Sequence, residues 1–303
     1  MIKLLAVDMD ETAVNSRHRM TKVTKEALRE VYAKGIHVVP VTGRCLEGLP
    51  ANMRGMEELS YIITSNGAKV YDWKEKEVLY RKLISNETAC DVLKICQQDA
   101  LGIAIHQEGK CYDNSKVQAL YRKLAYHGDF KMREAIKDLC GFVKKSGKPI
   151  EKIQVFSGKK EKLESIKNKL EPFDDLELAI STSGYIEITQ KDAQKGKALE
   201  HLCRYLGIHM EEVMAIGDNE NDHSMLVRAG YPIAMGNANE EIKKIAKYVT
   251  ASNDESGVAK AIYEKIVIRK SGALEFFLYI LVLLFVANDA WIYKNTDCKK
   301  SRM

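Results

Sequence analysis

The feature that most constrains the fold is a short apolar run that ends abruptly in carboxylates. Residues Ile2–Val7 are apolar except for one lysine, and Asp8 and Asp10 follow at once. A run of this length and composition is typical of a parallel strand that is buried on both faces. The sequence therefore predicts a buried strand whose carboxyl end carries acidic side chains.

The arrangement of an apolar strand followed by polar residues recurs along the chain. Three later runs with strand character are followed by Thr42-Gly43-Arg44, Ser65-Asn66-Gly67 and Gly217-Asp218-Asn219. Segments with helical periodicity, such as 24–34 and 196–206, lie between the runs. Strands that alternate with helices predict βαβ units, and hence an α/β fold with a Rossmann-like parallel-sheet core.

The middle of the chain has a different pattern, which indicates a second domain inserted into the first. From about residue 83 to 188, helical runs are separated by short extended pieces, as in an α+β domain. A chain of 303 residues suits two domains on the usual scale of about 150 residues each. We therefore predict a core at 1–82 and 189–270, an inserted α+β domain at 83–188, and a C-terminal segment at 271–303.

The C-terminal segment contains an unbroken apolar run, Phe276–Ala287, which predicts an apolar helix. If three polar residues are allowed, the apolar stretch covers 273–293, close to the roughly 20 residues that cross a bilayer. Basic residues flank it on both sides, so charge predicts no orientation. Three interpretations stay open, namely contact with a membrane, packing on the body of the protein, and packing on a second copy.

Charge and cysteine usage argue against several other classes of protein. The net charge of +5 is small, and the basic segment 116–170 lacks the interleaved aromatic residues of nucleic-acid-binding proteins. The seven cysteines include no C-x-x-C pair and predict neither a disulfide framework nor a zinc site. With an N-terminus that opens directly into a strand, they predict a cytoplasmic location, with membrane association only through 273–293.

The acidic residues at the strand ends are suited to binding a metal ion. In open α/β sheets ligands bind outside the carboxyl ends of the strands, where these side chains would converge. Asp8, Asp10, Asp218 and Asp222 would then form a dense cluster of negative charge, whose mutual repulsion disfavours ionisation of all four. A hard cation removes that repulsion, and Mg²⁺ prefers oxygen ligands of this kind.

Two further residues could hold the oxygens of a phosphate group. Thr42 offers a hydroxyl after a predicted strand, and Lys195 offers an ammonium before a predicted helix. Carboxylates, a hard cation and phosphate-binding groups together indicate phosphoryl transfer, in which catalysis is mostly positioning and charge stabilisation. A carboxylate can itself be the nucleophile, which would give an aspartyl phosphate.

At this point the chain resembles the haloacid dehalogenase (HAD) phosphatases. Asp8-Met9-Asp10-Glu11-Thr12 resembles the D-x-D-x-T first motif of that family. The second, third and fourth motifs have counterparts in Thr42-Gly43-Arg44, Lys195-Gly196-Lys197-Ala198-Leu199 and Gly217-Asp218-Asn219-Glu220-Asn221-Asp222. Their order and spacing resemble the Cof-type subfamily, which carries an inserted α/β cap, and the resemblance covers about residues 1–267.

The resemblance implies a role for each of these residues. Asp8 would attack phosphorus, and Asp10 would protonate the leaving alcohol and then activate water. The phosphoryl group would be bound by Thr42, Gly43, Lys195 and Asn221. The metal ion would be held by Asp8, the backbone carbonyl of Asp10, Asp218 and Asp222, the last of these directly or through a bound water.

The activity that the resemblance implies is magnesium-dependent hydrolysis of small phosphorylated metabolites, such as sugar phosphates or phosphorylated cofactors. The reaction would pass through an aspartyl phosphate, and the cap would contact the leaving group. Two alternatives stay open, a phosphotransferase or phosphomutase on the same scaffold and a non-catalytic, membrane-tethered member. The sequence predicts no oligomeric state.

Plain structural roles compete with several of these assignments. Thr42 could cap the helix that follows it, Lys195 could be a surface lysine before a helix, and Asp222 could cap the helix at 221–228. The sequence also departs from the Cof-type pattern, which usually has Gly where this chain has Glu11 and Leu where it has Ala13. A Glu11 carboxylate that pointed into the metal loop would weaken phosphate binding.

Overall fold

The structure is a computed structural model, and it describes residues 1–125, 134–181 and 184–267. The chain divides into two compact units, and the division falls inside a strand. The first unit contains residues 1–39 and the segment that begins at residue 208, whereas the second contains residues 40–207. The domain boundaries given above stay a prediction.

The described residues form the following elements. The strands are β1 (Leu4–Asp8), β2 (His37–Val41), β3 (Tyr61–Thr64), β4 (Lys69–Asp72), β5 (Glu77–Arg81), β6 (Gly102–Gln107), β7 (Lys110–Asp113), β8 (Glu134–Ala135), β9 (Lys152–Phe156), β10 (Leu176–Ser181), β11 (Tyr185–Gln190), β12 (Val213–Gly217), β13 (Tyr231–Ala234) and β14 (Tyr248–Val249). The helices are α1 (Lys22–Ala33), α2 (Ala51–Arg54), α3 (Asn86–Gln97), α4 (Lys116–Ala125), α5 (Leu139–Ser146), α6 (Lys160–Leu170), α7 (Lys195–Leu206), α8 (His223–Leu226), α9 (Glu240–Ile245) and α10 (Gly257–Ile262).

The first unit is built on parallel strands. β12 lies between β1 and β13, β14 follows β13, and each of these pairings is parallel. The register places Ala6 opposite Ala215 and Ile216 opposite Ile233. β1 is buried along its whole length, as expected for a strand that is covered on both faces. The predicted α/β class with a parallel-sheet core is therefore confirmed.

Two strands of the second unit, β4 and β5, are not predicted by the sequence pattern. Here β2 pairs in parallel with β3 through Val41 and Ile63, and β4 and β5 add two antiparallel strands. β5 has the sequence EVLYR, and none of its residues is fully buried. β5 has neither the alternating pattern of a half-buried strand nor the continuous apolar run of a buried strand. The sequence therefore does not predict it.

The second unit also contains a separate sheet with the strand order β10-β11-β9-β6-β7-β8. Its strands pair antiparallel, except that β7 and β8 are parallel. Helices α3, α5 and α6 pack apolar side chains with one face of this sheet, and Leu93, Ile153, Ile166 and Ile186 are fully buried there. These elements lie within 86–190 and have the α+β make-up predicted for the inserted domain.

Several predicted elements begin or end a few residues away from their observed bounds. The first strand starts at Leu4 and includes Asp8, so the first acidic residue belongs to the strand itself. The helix predicted for 196–206 begins one residue earlier, at Lys195, and α9 ends at Ile245, because the N–H of Lys247 bonds to the carbonyl of Pro232 (2.9 Å) as β14 begins.

Among the described residues, we find no helix with the length and apolar character that crossing a bilayer requires. The predicted apolar C-terminal helix, and the 273–293 stretch considered for membrane contact, lie outside the described residues. The structure therefore bears on the α/β body of the chain only.

Candidate active site

β1 brings Asp8 to the edge of the first unit's sheet, where the backbone changes direction. Asp8 is the last residue of the strand and is 5% exposed. The turn Met9–Ala13 follows, in which Asp10 keeps an extended backbone and Glu11 takes a left-handed one, with φ of 59°. Asp10 therefore lies beyond the strand rather than in it, which the sequence pattern does not predict.

The position of Glu11 explains why the family pattern usually has glycine there. A left-handed backbone is easy for glycine and strained for most other residues. The Glu11 side chain is exposed, while its backbone carbonyl accepts a hydrogen bond from the side-chain amide of Asn237 (2.9 Å). The chain thus keeps the turn that the family needs and places a strained residue in it.

β12 positions the second pair of acidic residues. The strand ends at Gly217, and Asp218 follows with its carboxylate accepting a hydrogen bond from the Thr12 hydroxyl (2.5 Å). One oxygen of Asp222 accepts hydrogen bonds from the backbone N–H groups of Asp218 (3.0 Å) and Asn219 (3.2 Å). Asp222 therefore caps the 3₁₀ turn Glu220–Asp222 and makes no side-chain cap to α8, and it also belongs to the carboxylate group described next.

Asp8, Asp218 and Asp222 meet in the first unit. Each offers a carboxylate oxygen, these oxygens all lie within 4.8 Å of one another, and all three residues are buried. Three carboxylates at this spacing repel one another when ionised, and a divalent cation with oxygen ligands offsets that repulsion. The donor set, oxygen only and acidic, fits Mg²⁺ better than it fits a transition metal.

The other two predicted residues of the first unit lie outside that group. The carboxylate of Asp10 does not belong to it, so the contribution considered for Asp10 is its backbone carbonyl. Asn221 lies in the 3₁₀ turn Glu220–Asp222 and is exposed. Its role in phosphate binding stays a prediction.

The second unit contains Thr42 at the end of β2. Thr42 is fully buried, its N–H donates to the Ile63 carbonyl (2.8 Å), and its carbonyl accepts from the N–H of Asn66 (3.1 Å). The Thr42 hydroxyl oxygen accepts a hydrogen bond from the N–H of Arg44 (3.1 Å), which caps the local turn and not a helix. A hydroxyl that accepts through its lone pairs keeps its proton to donate, so capping and phosphate binding are compatible.

Gly43 and Lys195 are held by close backbone packing in the same unit. A Cβ at Gly43 would lie 2.7 Å from the amide oxygen of Asn66, so a side chain is excluded there. A Cβ at Gly67 would lie 2.9 Å from the backbone nitrogen of Lys195, and Gly67 has φ of 100°. Lys195 is the first residue of α7 and is only 1% exposed. It is therefore not the surface lysine of the plain alternative.

A buried set of charged residues in the second unit is absent from the sequence-based predictions. Lys152 donates to Glu187 (2.6 Å) and to the backbone carbonyl of Gly43 (2.6 Å). Glu187 also accepts from the side chains of Asn66 (2.6 Å) and Gln154 (2.9 Å). In β9, Lys152 and Gln154 alternate with apolar residues, and this period of two places them on the sheet face away from the apolar cluster. In the sequence, this buried set is indicated only by the polar residues that alternate with apolar ones along β9.

The electrostatics of Glu187 reflect these contacts. Burial is the largest single influence and raises the pKa of its carboxyl group, but the Lys152 ammonium opposes it through its charge and its hydrogen bond. With the hydrogen bonds from Asn66 and Gln154, it holds the pKa of Glu187 below its ordinary value. The Glu187 carboxylate is therefore ionised at neutral pH.

Comparison with known proteins places these features in a family. The model of the haloacid dehalogenase-like hydrolases matches residues 5–262. Phosphatase YwpJ of Bacillus subtilis is 32% identical over 279 residues, which are 85% of this chain and 98% of that protein. The 5-amino-6-(5-phospho-D-ribitylamino)uracil phosphatase YcsE of the same organism is 32% identical over 262 residues, covering 86% and 94%.

Solved structures agree with the sequence relatives. A haloacid dehalogenase-like hydrolase from B. subtilis superposes with a TM-score of 0.77 at 29% identity, covering 88% of this chain and all of its own. The family model spans both units, and it includes every residue named above for the site. The chain therefore belongs to the haloacid dehalogenase-like hydrolases and, within them, to the phosphatases.

Proposed function

We propose that this phosphatase hydrolyses small phosphomonoesters with the help of Mg²⁺, through a phosphoryl group carried on Asp8. The observation that supports this most is the buried group of three carboxylates in the first unit, of which Asp8 is a member. A carboxylate in such a group is both a metal ligand and a nucleophile, and this combination suits phosphoryl transfer.

The first step transfers the phosphoryl group to the enzyme. An oxygen of Asp8 forms a bond to phosphorus while the bond between phosphorus and the leaving oxygen breaks. Asp10, in its protonated form, donates its proton to that oxygen, so that an alcohol leaves instead of an alkoxide.

The second step releases phosphate and restores the enzyme. Asp10, now a carboxylate, takes a proton from a water molecule whose oxygen attacks phosphorus. The bond between phosphorus and the Asp8 oxygen breaks, inorganic phosphate leaves, and Asp10 is again protonated. The same side chain thus acts first as an acid and then as a base.

Further residues bind the groups that do not react. The Thr42 hydroxyl, the Gly43 backbone, the Lys195 ammonium and the Asn221 amide bind oxygens of the phosphoryl group. The ion would be held by Asp8, Asp218, Asp222 and the backbone carbonyl of Asp10, and it would supply charge neutralisation for the phosphoryl oxygens. Residues 273–293 have no part in this mechanism.

For the substrate we propose a phosphorylated polyol, sugar or cofactor precursor of low molecular mass. The support is the relative YcsE, whose name specifies a phosphorylated ribityl compound.

The test is a screen of phosphorylated metabolites in the presence of Mg²⁺, with release of free phosphate as the readout. Asp8→Asn and Asp10→Asn should each lower the rate at least about 100-fold, the low end for an acid–base residue. Asp91→Asn, in an exposed pair with Lys94 on α3, is the matched control and should leave the rate unchanged.

Two results would contradict the proposal. Full activity in both Asp8→Asn and Asp10→Asn would exclude the phosphoryl-enzyme mechanism. Phosphate transfer to a second sugar without release of free phosphate would assign the chain to the phosphotransferases or phosphomutases instead.

A further inference from the structure

A strained loop lies beside the phosphate-binding residues of the second unit. Ser65, Asn66 and Gly67 have φ values of 50°, 61° and 100°, so three successive residues are in the left-handed region. Each non-glycine residue in this region costs about 1 kcal/mol or more. Such a backbone persists only where surrounding contacts hold it.

Two backbone hydrogen bonds tie this loop to the loop that follows β2. The N–H of Ser65 donates to the carbonyl of Arg44 (2.9 Å), and the N–H of Asn66 donates to the carbonyl of Thr42 (3.1 Å). We call residues 42–44 and 65–67 the paired loops. Gly67 also packs directly against the backbone of Gln194 and Lys195. A displacement of the paired loops therefore moves the groups around both Thr42 and Lys195.

Side chains of the second sheet hold the paired loops from the other side. The Ser65 hydroxyl contacts Glu151 (3.1 Å) and the ring nitrogen Nδ1 of His106 (3.0 Å). Glu151 is fully buried, and its other oxygen accepts from the N–H of Gly109 (2.8 Å) and pairs with the Lys69 ammonium (2.9 Å). Ser65 is thus held by a carboxylate that is itself fixed on both oxygens.

The Lys152–Glu187 pair reaches both paired loops at once. Through one oxygen Glu187 binds the Asn66 amide, and through the other it binds Lys152, whose ammonium also binds the Gly43 carbonyl. Lys152 is 1% exposed and the Glu187 side chain 13%, so water screens this pair little. One ion pair therefore fixes the second loop by a carboxylate and the first loop by an ammonium.

We propose that Lys152 and Glu187 are positioning residues for phosphate binding, which rests on the function proposed above. They touch Gly43 and Asn66 and act through them on the placement of Thr42 and Lys195. A bound phosphoryl group needs those two side chains in a fixed geometry, and a shift of about 1 Å in such groups can lower a rate about 100-fold. The pair thus does more than stabilise the fold.

The deciding variant removes both charges together. Replacing a buried ion pair with neutral residues of similar volume is often close to neutral for stability, whereas removing one partner leaves an unpaired buried charge. We therefore choose the double variant Lys152→Met/Glu187→Gln. Its melting temperature should lie close to that of the wild type, which separates a positioning role from a structural one.

The measurement is hydrolysis of p-nitrophenyl phosphate with saturating Mg²⁺, together with competitive inhibition by inorganic phosphate. The double variant should show kcat/KM lowered by about 10- to 100-fold and an inhibition constant for phosphate raised at least about tenfold. The control is Lys169→Met/Asp99→Asn, which removes a pair of similar length (2.9 Å) without contact to the paired loops. It should change both values less than about twofold.

A milder variant, Asn66→Gly, keeps the test decisive if the double variant does not fold. Glycine accepts the φ of 61° and removes the Asn66 side chain together with its hydrogen bond to Glu187, so the inhibition constant for phosphate should rise about threefold or more. Normal phosphate inhibition in whichever variant folds would overturn the proposal. If the wild type itself neither hydrolyses the ester nor binds phosphate, the proposed function fails instead, and the two failures are thereby distinguished.

Discussion

The charged groups of the two units are arranged in opposite ways. In the first unit three carboxylates of like charge are buried within 4.8 Å of one another. In the second unit the buried charges alternate in sign, with Lys152 beside Glu187 and Lys69 beside Glu151. A set of like charges is suited to an added cation, whereas an alternating set holds its own neighbours in place. Under the proposed function, the three carboxylates bind a ligand, whereas the two buried ion pairs position other groups.

The largest expected effect concerns the ion. Removal of Mg²⁺ with a chelator should lower the rate at least about 100-fold, because a bound cation contributes several kcal/mol of charge stabilisation. Mg²⁺ at 100 times its Kd should also raise the free energy of unfolding by about 2.7 kcal/mol. Urea unfolding with and without Mg²⁺ measures this.

Asp218→Asn is the matched control for the ion effect. Its amide oxygen can still accept the Thr12 hydrogen bond, so the fold is kept while a charged ligand is lost. The stabilisation by Mg²⁺ should shrink by at least half. A full Mg²⁺ effect in this variant would show that the three carboxylates are not the binding site.

The buried ion pairs of the second unit should respond differently. Breaking one of them should lower the stability of the protein by the same amount with and without the ion. Glu187→Gln leaves the buried Lys152 without its counter-charge and should lower the free energy of unfolding by about 3 kcal/mol. The loss should be the same with and without Mg²⁺. A loss that disappears on adding Mg²⁺ would remove the distinction between the two sets.

Unfolding measurements at acid pH test the same comparison. The pKa of Glu187 is lowered in the folded state, so its contribution is fully present above its unfolded value of 4.5 and is lost as the pH falls through the depressed value. The stability difference between the wild type and Glu187→Gln should therefore be constant from pH 7 to about pH 5 and shrink at lower pH. Unfolding curves at a series of pH values measure it, and a difference that grows on acidification would contradict the pairing.

The smallest effect concerns Glu11 in the turn after β1. Glu11→Gly relieves a left-handed backbone, offset in part by the greater freedom of glycine in the unfolded chain, and should stabilise by about 0.5 kcal/mol. Because the Glu11 side chain is exposed, kcat/KM should change less than about twofold. Lys76→Gly, at φ of 58°, is the control and should give a similar gain in stability.

Short sequence patterns predicted those elements whose formation depends on neighbouring residues in the chain. The buried strand before Asp8 and the polar residues after β2 and β12 follow from apolar runs of a few residues each. The Lys152–Glu187 pair could not be predicted in the same way, since its partners lie 35 positions apart on different strands. The edge strand β5 was missed because its stability comes from pairing with β4 and not from burial of its own side chains.

Gly217 bears on which ion the proposed metal site would prefer. A methyl group at this residue would lie 2.6 Å from the carboxylate carbon of Asp222. The absence of a side chain at Gly217 therefore lets the Asp222 carboxylate pack against the backbone there. Mg²⁺ is small and demands short, regular bonds to oxygen, whereas Ca²⁺ accepts longer and more variable ones. If the proposed Mg²⁺ is held by this carboxylate, its size selectivity depends on a residue that contributes no ligand, and Gly217→Ala should move the preference towards Ca²⁺.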